Sequence, residues 1–170
     1  MNLKDYIRSI EDFPKPGILF RDITPLMMNA DAFAYVVDTF ADHYGGSNIS
    51  TVMAIEARGF LLAAPLAYRI RKPLVLARKE GKLPAESYRT EYSLEYGTNV
   101  VEVHRDSVRA GDNVLIVDDV LATGGTLAAA IQLVEQAGAN VEGLALLMEL
   151  TALEGREHLA GYEVFTLMQY

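Results

Sequence analysis

The chain has 170 residues, 51% of them hydrophobic, so it has the apolar material for a core of its own and falls outside the disordered class. With 15 Lys+Arg against 23 Asp+Glu its formal net charge is -8, which argues against a nucleic-acid partner but leaves room for a local cationic pocket. The absence of cysteine excludes disulfides, thiol nucleophiles and Cys-type metal sites.

In chain order, Leu3, Tyr6, Ile7 and Ile10 have helical spacing, and the spacing predicts a short helix over Leu3–Ile10. Pro14, Pro16 and Gly17 break it. Asp31 is the expected N-cap of a helix through His43, with Phe33, Val36, Val37 and Phe40 on one face and Gly45 as the stop. Ser50–Ile55 and Leu74–Ala77 are short strands, separated by a helix over Gly59–Arg71 that runs through Pro65. Glu80–His104 is polar, rich in Tyr and too long for an ordinary connection, which points to a functional loop or a hairpin.

Asn113–Val117 is apolar on both faces, as a central parallel strand is. A helix over Thr126–Gln136, a strand over Val141–Met148, a short helix over Ala152–Leu159 and a strand over Val164–Leu167 follow. Alternating strands and helices predict an α/β fold, a central parallel sheet flanked by helices, within one domain spanning 1–170. Met1–Phe13 lacks the apolar run of a signal peptide. The longest apolar stretch, Phe60–Tyr68, is far below the ~20 residues of a membrane span. A cytoplasmic protein without a membrane partner is therefore expected.

The chemistry concentrates in Val114–Thr126, VLIVDDVLATGGT. A buried strand delivers Asp118 and Asp119 to the carboxyl edge of the sheet, where α/β proteins bind ligands. Ala122, Thr123, Gly124, Gly125 and Thr126 then turn into a helix. The glycines permit unusual backbone angles, and the N–H groups of the helix start, with two Thr hydroxyls, form an anion cradle. A bare GG turn would be an ordinary strand-to-helix connection. Two acids before it change the balance, because carboxylates beside a phosphate need partners such as ribose hydroxyls or magnesium. The pattern suits a ribose 5-phosphate and matches neither the P-loop nor GxGxxG.

This stretch resembles the signature of the type I phosphoribosyltransferases, which bind phosphoribosyl pyrophosphate. Phe13–Leu26 (FPKPGILFRDITPL), Ile55–Phe60 (IEARGF), Arg78–Pro84 (RKEGKLP), Tyr92–Gly97 (YSLEYG) and the ending MELTALEGREHLAGYEVFTLMQY resemble the branch of that family that uses adenine. The resemblance covers nearly the whole chain.

It implies the type I fold with a small N-terminal hood and a flexible catalytic loop. The implied reaction is adenine plus phosphoribosyl pyrophosphate giving AMP and pyrophosphate. Glu95 would be the catalytic residue, with Tyr96 beside it. Leu19, Phe20 and Arg21 would form the adenine site, Phe20 by stacking and the others through backbone groups. Arg58 would bind pyrophosphate in a loop with an unusual peptide near Glu56–Ala57, and Arg78, Lys79 and Lys82 would contribute near a subunit boundary. Asp118 and Asp119 would hold the sugar, and Ala122–Thr126 the 5-phosphate. The implied cofactor is Mg2+, bound mainly through substrate and water, and the implied assembly is a homodimer. His43, His104 and His158 share no metal-ligand spacing, so no protein metal site is expected. Another base (hypoxanthine, guanine, xanthine or orotate) and a regulator that senses the phosphoribosyl group are the open alternatives.

Overall fold

The computed structural model describes residues 1–93 and 98–170. After a 3-10 turn at Leu3–Tyr6, the chain forms β1 (Arg8–Ile10), β2 (Phe20–Asp22), α1 (Thr24–Met28), α2 (Ala30–His43), β3 (Thr51–Ile55), α3 (Gly59–Ile70) and β4 (Leu74–Lys79). Then come β5 (Ser87–Ser93), β6 (Thr98–His104), β7 (Asn113–Leu121), α4 (Gly125–Gln136), β8 (Asn140–Glu149) and β9 (Val164–Gln169). Among the described residues, no helix is long and apolar enough to cross a membrane.

The main sheet has the order β5-β6-β4-β3-β7-β8-β9, and β1 and β2 form a separate antiparallel ribbon. From β4 to β9 every pairing is parallel. Within 80–104, Ser87–Ser93 and Thr98–His104 pair antiparallel, and β6 also pairs antiparallel with β4, which extends the sheet at one edge.

Strand periodicity divides the core into two faces. Val52, Ala54, Leu115 and Val117 face α2 and α3, whereas Met53, Ile55, Ile116 and Leu146 face α4. β3 and most of β7 are buried on both sides, which is why they read as continuous apolar runs. α3 passes through Pro65 because its buried residues Leu62, Ala63, Leu66 and Ala67 hold it against the sheet.

Four local expectations are corrected. The helix expected at Leu3–Ile10 is a 3-10 turn followed by β1, because pairing of Arg8–Ile10 with Phe20–Asp22 outweighs a marginal helical pattern. Asn29, not Asp31, caps α2: its Oδ1 accepts from the Ala32 N–H at 2.9 Å, and Asp31 lies in the first turn, where its charge suits the helix dipole. The helix expected at Ala152–Leu159 is two 3-10 turns divided at Glu154, whose φ is 51°. Finally, β7 runs on past Val117 to Leu121, because its ladder with β8 continues as far as Leu121 opposite Glu149.

Candidate active site

The extension of β7 puts both acids inside the strand, at its carboxyl end, beside the ends of β3 and β8. Asp118 and Asp119 are buried. Burial and the neighbouring Asp119 charge push the Asp118 carboxyl well above the usual range. Burial also raises Asp119, with the Arg58 guanidinium opposing it. Arg58 Nε lies 2.9 Å from Asp119 Oδ2, yet that oxygen has no aligned hydrogen-bond partner among the described residues. The contact is ionic, and the buried acceptor has no other hydrogen-bond partner among the described residues. Gly59 permits this approach of α3 to β7, since a Cβ there would sit 2.8 Å from Val117 O and 3.0 Å from Asp118 Oδ1.

After β7 the chain turns through Ala122–Gly124. Gly124, at φ 87°, is the N-cap of α4 and supplies no side-chain cap. The first N–H groups of α4 therefore point outward with the positive end of the helix dipole behind them. They open onto a cleft of about 430 Å³ lined by Glu56, Ala57, Arg58, Lys79, Tyr92, Asn99, Asp118–Val120 and Ala122–Leu127. The Glu56–Ala57 peptide on its rim is cis.

A second, smaller pocket of about 120 Å³ lies alongside, lined by Ile18–Arg21, Arg58, Asp119, Val120, Ala122, Met148 and Leu150. Phe20 presents its ring between Phe13, edge-on at 5.1 Å, and the Arg58 guanidinium at 5.2 Å. The Arg21 side chain turns away: Nη1 donates to Ser9 Oγ, and its guanidinium lies 4.0 Å over the Tyr170 ring. What Arg21 offers the pocket is therefore mainly backbone.

The structure thus brings Leu19, Phe20, Arg21, Arg58, Lys79, Asp118, Asp119 and Ala122–Thr126 around two adjoining cavities. Arg78 stands apart from both. Its Nε donates to Glu56 Oε2 at 2.8 Å, and the Lys79 N–H donates to the same oxygen at 3.0 Å. The hydrogen bond from Arg78 holds the Glu56 carboxyl below its ordinary range. Lys82 is exposed and lines neither cavity. Glu95 and Tyr96 lie outside the described residues. Sequence reasoning missed Glu56 as the organiser of Arg78, and Val120, Met148 and Leu150 as pocket walls. An acid at the head of the expected Glu56–Gly59 loop is a usable signal for the first. Apolar walls carry no signal that separates them from core.

The fold is an α/β protein whose central parallel strand ends in paired acids and a glycine turn at a helix start, and residues 26–168 match the family model of the phosphoribosyl transferase domain. The chain is 55% identical over 170 residues to an adenine phosphoribosyltransferase of Roseiflexus castenholzii, covering 100% of this chain and 99% of that one. The crystal structure of adenine phosphoribosyltransferase from Thermoanaerobacter pseudethanolicus superposes with a TM-score of 0.96 at 49% identity, covering 99% of this chain and 98% of that one. The Saccharomyces cerevisiae enzyme, complexed with an imino-altritol bisphosphate and adenine, gives 0.92 at 39% identity, with 97% and 96% covered. The chain belongs to the phosphoribosyltransferase family, among the adenine phosphoribosyltransferases.

Proposed function

We propose that the chain transfers the 5-phosphoribosyl group of phosphoribosyl pyrophosphate to adenine, giving AMP and pyrophosphate in purine salvage. The observation that carries this reading is the shared wall: Arg58, Asp119, Val120 and Ala122 line both cavities. A flat base in the apolar pocket and a sugar phosphate in the polar cleft would meet across Asp119. The yeast relative binds adenine together with a bisphosphate, the same combination of chemistries.

The 5-phosphate rests on the N–H groups and hydroxyls of Ala122–Thr126. Asp118 and Asp119 accept from the ribose hydroxyls, which relieves the unpaired Oδ2. Adenine stacks on Phe20, and backbone groups of Leu19 and Arg21 read its polar edge. Arg58 and Lys79 face the pyrophosphate side. The adenine N9–anomeric carbon bond forms as the carbon–pyrophosphate bond breaks, with inversion through a cationic sugar. Glu95, beside Tyr96, takes the N9 proton or stabilises the cation.

Magnesium fits this site as a substrate-borne ion. Its ligands would be pyrophosphate oxygens and water in the polar cleft, beside the carboxylates that line it. When bound, the ion neutralises charge on the leaving pyrophosphate. The chain is read as one domain working as a cytoplasmic homodimer. Exposed Leu61, Tyr68, Leu74 and Leu76 on α3 and around β4 support the dimer, and light scattering at assay concentration tests it. The reaction is tested with labelled adenine, guanine, hypoxanthine, xanthine and orotate, each with phosphoribosyl pyrophosphate. Adenine is expected to be preferred, and equal turnover of hypoxanthine would overturn the base assignment.

A further inference from the structure

The 3-10 turn Gly155–Leu159 is tied to the sheet by the Arg156 side chain. Arg156 donates from Nε to Glu149 Oε1 at 2.8 Å and from Nη2 to Glu149 Oε2 at 2.9 Å. Its Nη1 donates to Val164 O at 3.2 Å. Glu149 is the last residue of β8, is buried, and pairs with Leu121, the last residue of β7. Gln169 of β9 donates to the same carboxylate at 3.1 Å. The Arg156 hydrogen bonds hold Glu149 below the usual carboxylate range. A two-armed pair fixes orientation as well as distance.

The residue before Arg156 is pressed onto the turn that follows β7. A Cβ on Gly155 would overlap Ala122 O, and would sit 2.8 Å from Leu121 Cδ1 and 3.1 Å from Gly124 N. Gly124 meets Gly155 in return: a Cβ there would lie 2.5 Å from Gly155 O. Two glycines from two separate loops therefore abut backbone to backbone. Any shift of one turn is transmitted to the other, because close-packed contacts do not deform gradually.

We propose that Arg156 is a positioning residue for the sugar 5-phosphate: it clamps the Gly155 turn against Ala122–Gly124 and thereby fixes the aim of the N–H groups that open α4. The proposal rests on reading Ala122–Thr126 as the phosphate site. Simple glue for the C-terminal strands would give a different signature. The Arg156 side chain is 44% exposed, so the pair's share of global stability is limited by solvent screening. A structural role lowers the melting temperature and leaves ligand affinities alone. A positioning role changes one ligand's affinity in a folded protein.

The experiment titrates the full chain with ribose 5-phosphate by calorimetry and measures steady-state kinetics with both substrates. It compares Arg156→Met, Arg156→Lys and, as a cradle control, the double variant Thr123→Val/Thr126→Val. For Arg156→Met, ribose 5-phosphate binding is expected to weaken about tenfold, below the ~10²-fold cost of a 1 Å misplacement. The KM for phosphoribosyl pyrophosphate should rise in parallel, while the KM for adenine stays within about twofold. Arg156→Lys keeps the charge but not the fork, so it should still lose about threefold. If the Arg156 variants bind normally while the cradle control does not, the proposal is overturned and the phosphate site stands. If the cradle control also binds normally, the phosphate assignment falls and takes the proposal with it. Should Arg156→Met fail to fold, Arg156→Lys decides, and normal affinity there overturns the clamp.

Discussion

The two adjoining cavities are built on opposite principles. The polar cleft stands at the end of β7, the strand packed on both faces, and its donors are backbone groups of a helix start and a turn held by two abutting glycines. The apolar pocket borrows one wall from that strand and takes the other from an N-terminal segment in which Ile18 is 44% and Leu19 45% exposed. The cleft is pre-organised by the core, whereas the pocket depends on a flap of chain held from outside it. On the proposed reading, the charged part of the substrate meets the least deformable element, and the base meets a lining that small local changes can alter.

The largest expected effect belongs to Glu95, which lies outside the described residues. Glu95→Gln should lower kcat by ~10²-fold, the usual scale for a general acid/base, with little change in the KM for phosphoribosyl pyrophosphate. Steady-state kinetics checks this, and a raised KM at unchanged kcat would make Glu95 a binding residue.

Next comes the rigidity of the cleft. Gly124→Ala places a Cβ at φ 87° and 2.5 Å from Gly155 O. The clash displaces the turn, so the KM for phosphoribosyl pyrophosphate should rise by up to ~10²-fold, the cost of a 1 Å misplacement, with the adenine KM far less affected, and the left-handed strain should separately lower the melting temperature. Equal changes in both would dissolve the contrast between the cavities.

Asp119→Asn should lower kcat/KM for phosphoribosyl pyrophosphate about tenfold, roughly the value of one hydrogen bond to a charged acceptor. Wild-type kinetics would remove the acid from the sugar site. On the pocket side, Phe20→Leu should raise the adenine KM only about three- to fivefold, since an aromatic contact adds ~0.5–1.5 kcal/mol beyond area. The phosphoribosyl pyrophosphate KM should stay put.

The smallest effect is on stability, and it has opposite signs at two acids. Asp118 has its pKa raised in the folded state, so the native protein binds more protons there than the unfolded chain. Its contribution therefore worsens as pH rises through the folded value. Asp118→Asn should raise the melting temperature at neutral pH by about 2–4 °C, the shift that ~1 kcal/mol gives at this size, and the gain should shrink on acidification. Glu56 has its pKa lowered, so its stabilisation is present above the ordinary carboxylate value and is lost as pH falls through the folded one. Glu56→Gln should therefore be destabilising at neutral pH and nearly neutral in acid, which calorimetric melting across pH would show.

What the sequence determined by itself is the part set by short-range rules. The apolar run before Asp118–Asp119, the glycines after it and the alternation of strands and helices are local patterns, and each implies its structure without reference to distant chain. They were enough to place two acids and a glycine turn at the carboxyl edge of the sheet, next to a helix start. The short N-terminal pattern failed because its few helical contacts were too weak against pairing with Phe20–Asp22. Only the tertiary structure decided the rest. It gave Arg78 to Glu56, Arg58 to Asp119 and Phe20, and Arg21 to Tyr170. A charged side chain takes whichever partner the fold brings within reach, and a lone Arg in a sequence carries no record of that choice. The contact of Gly155 with Ala122 is of the same kind, since a missing Cβ is legible in a sequence but the backbone that needs the space is not.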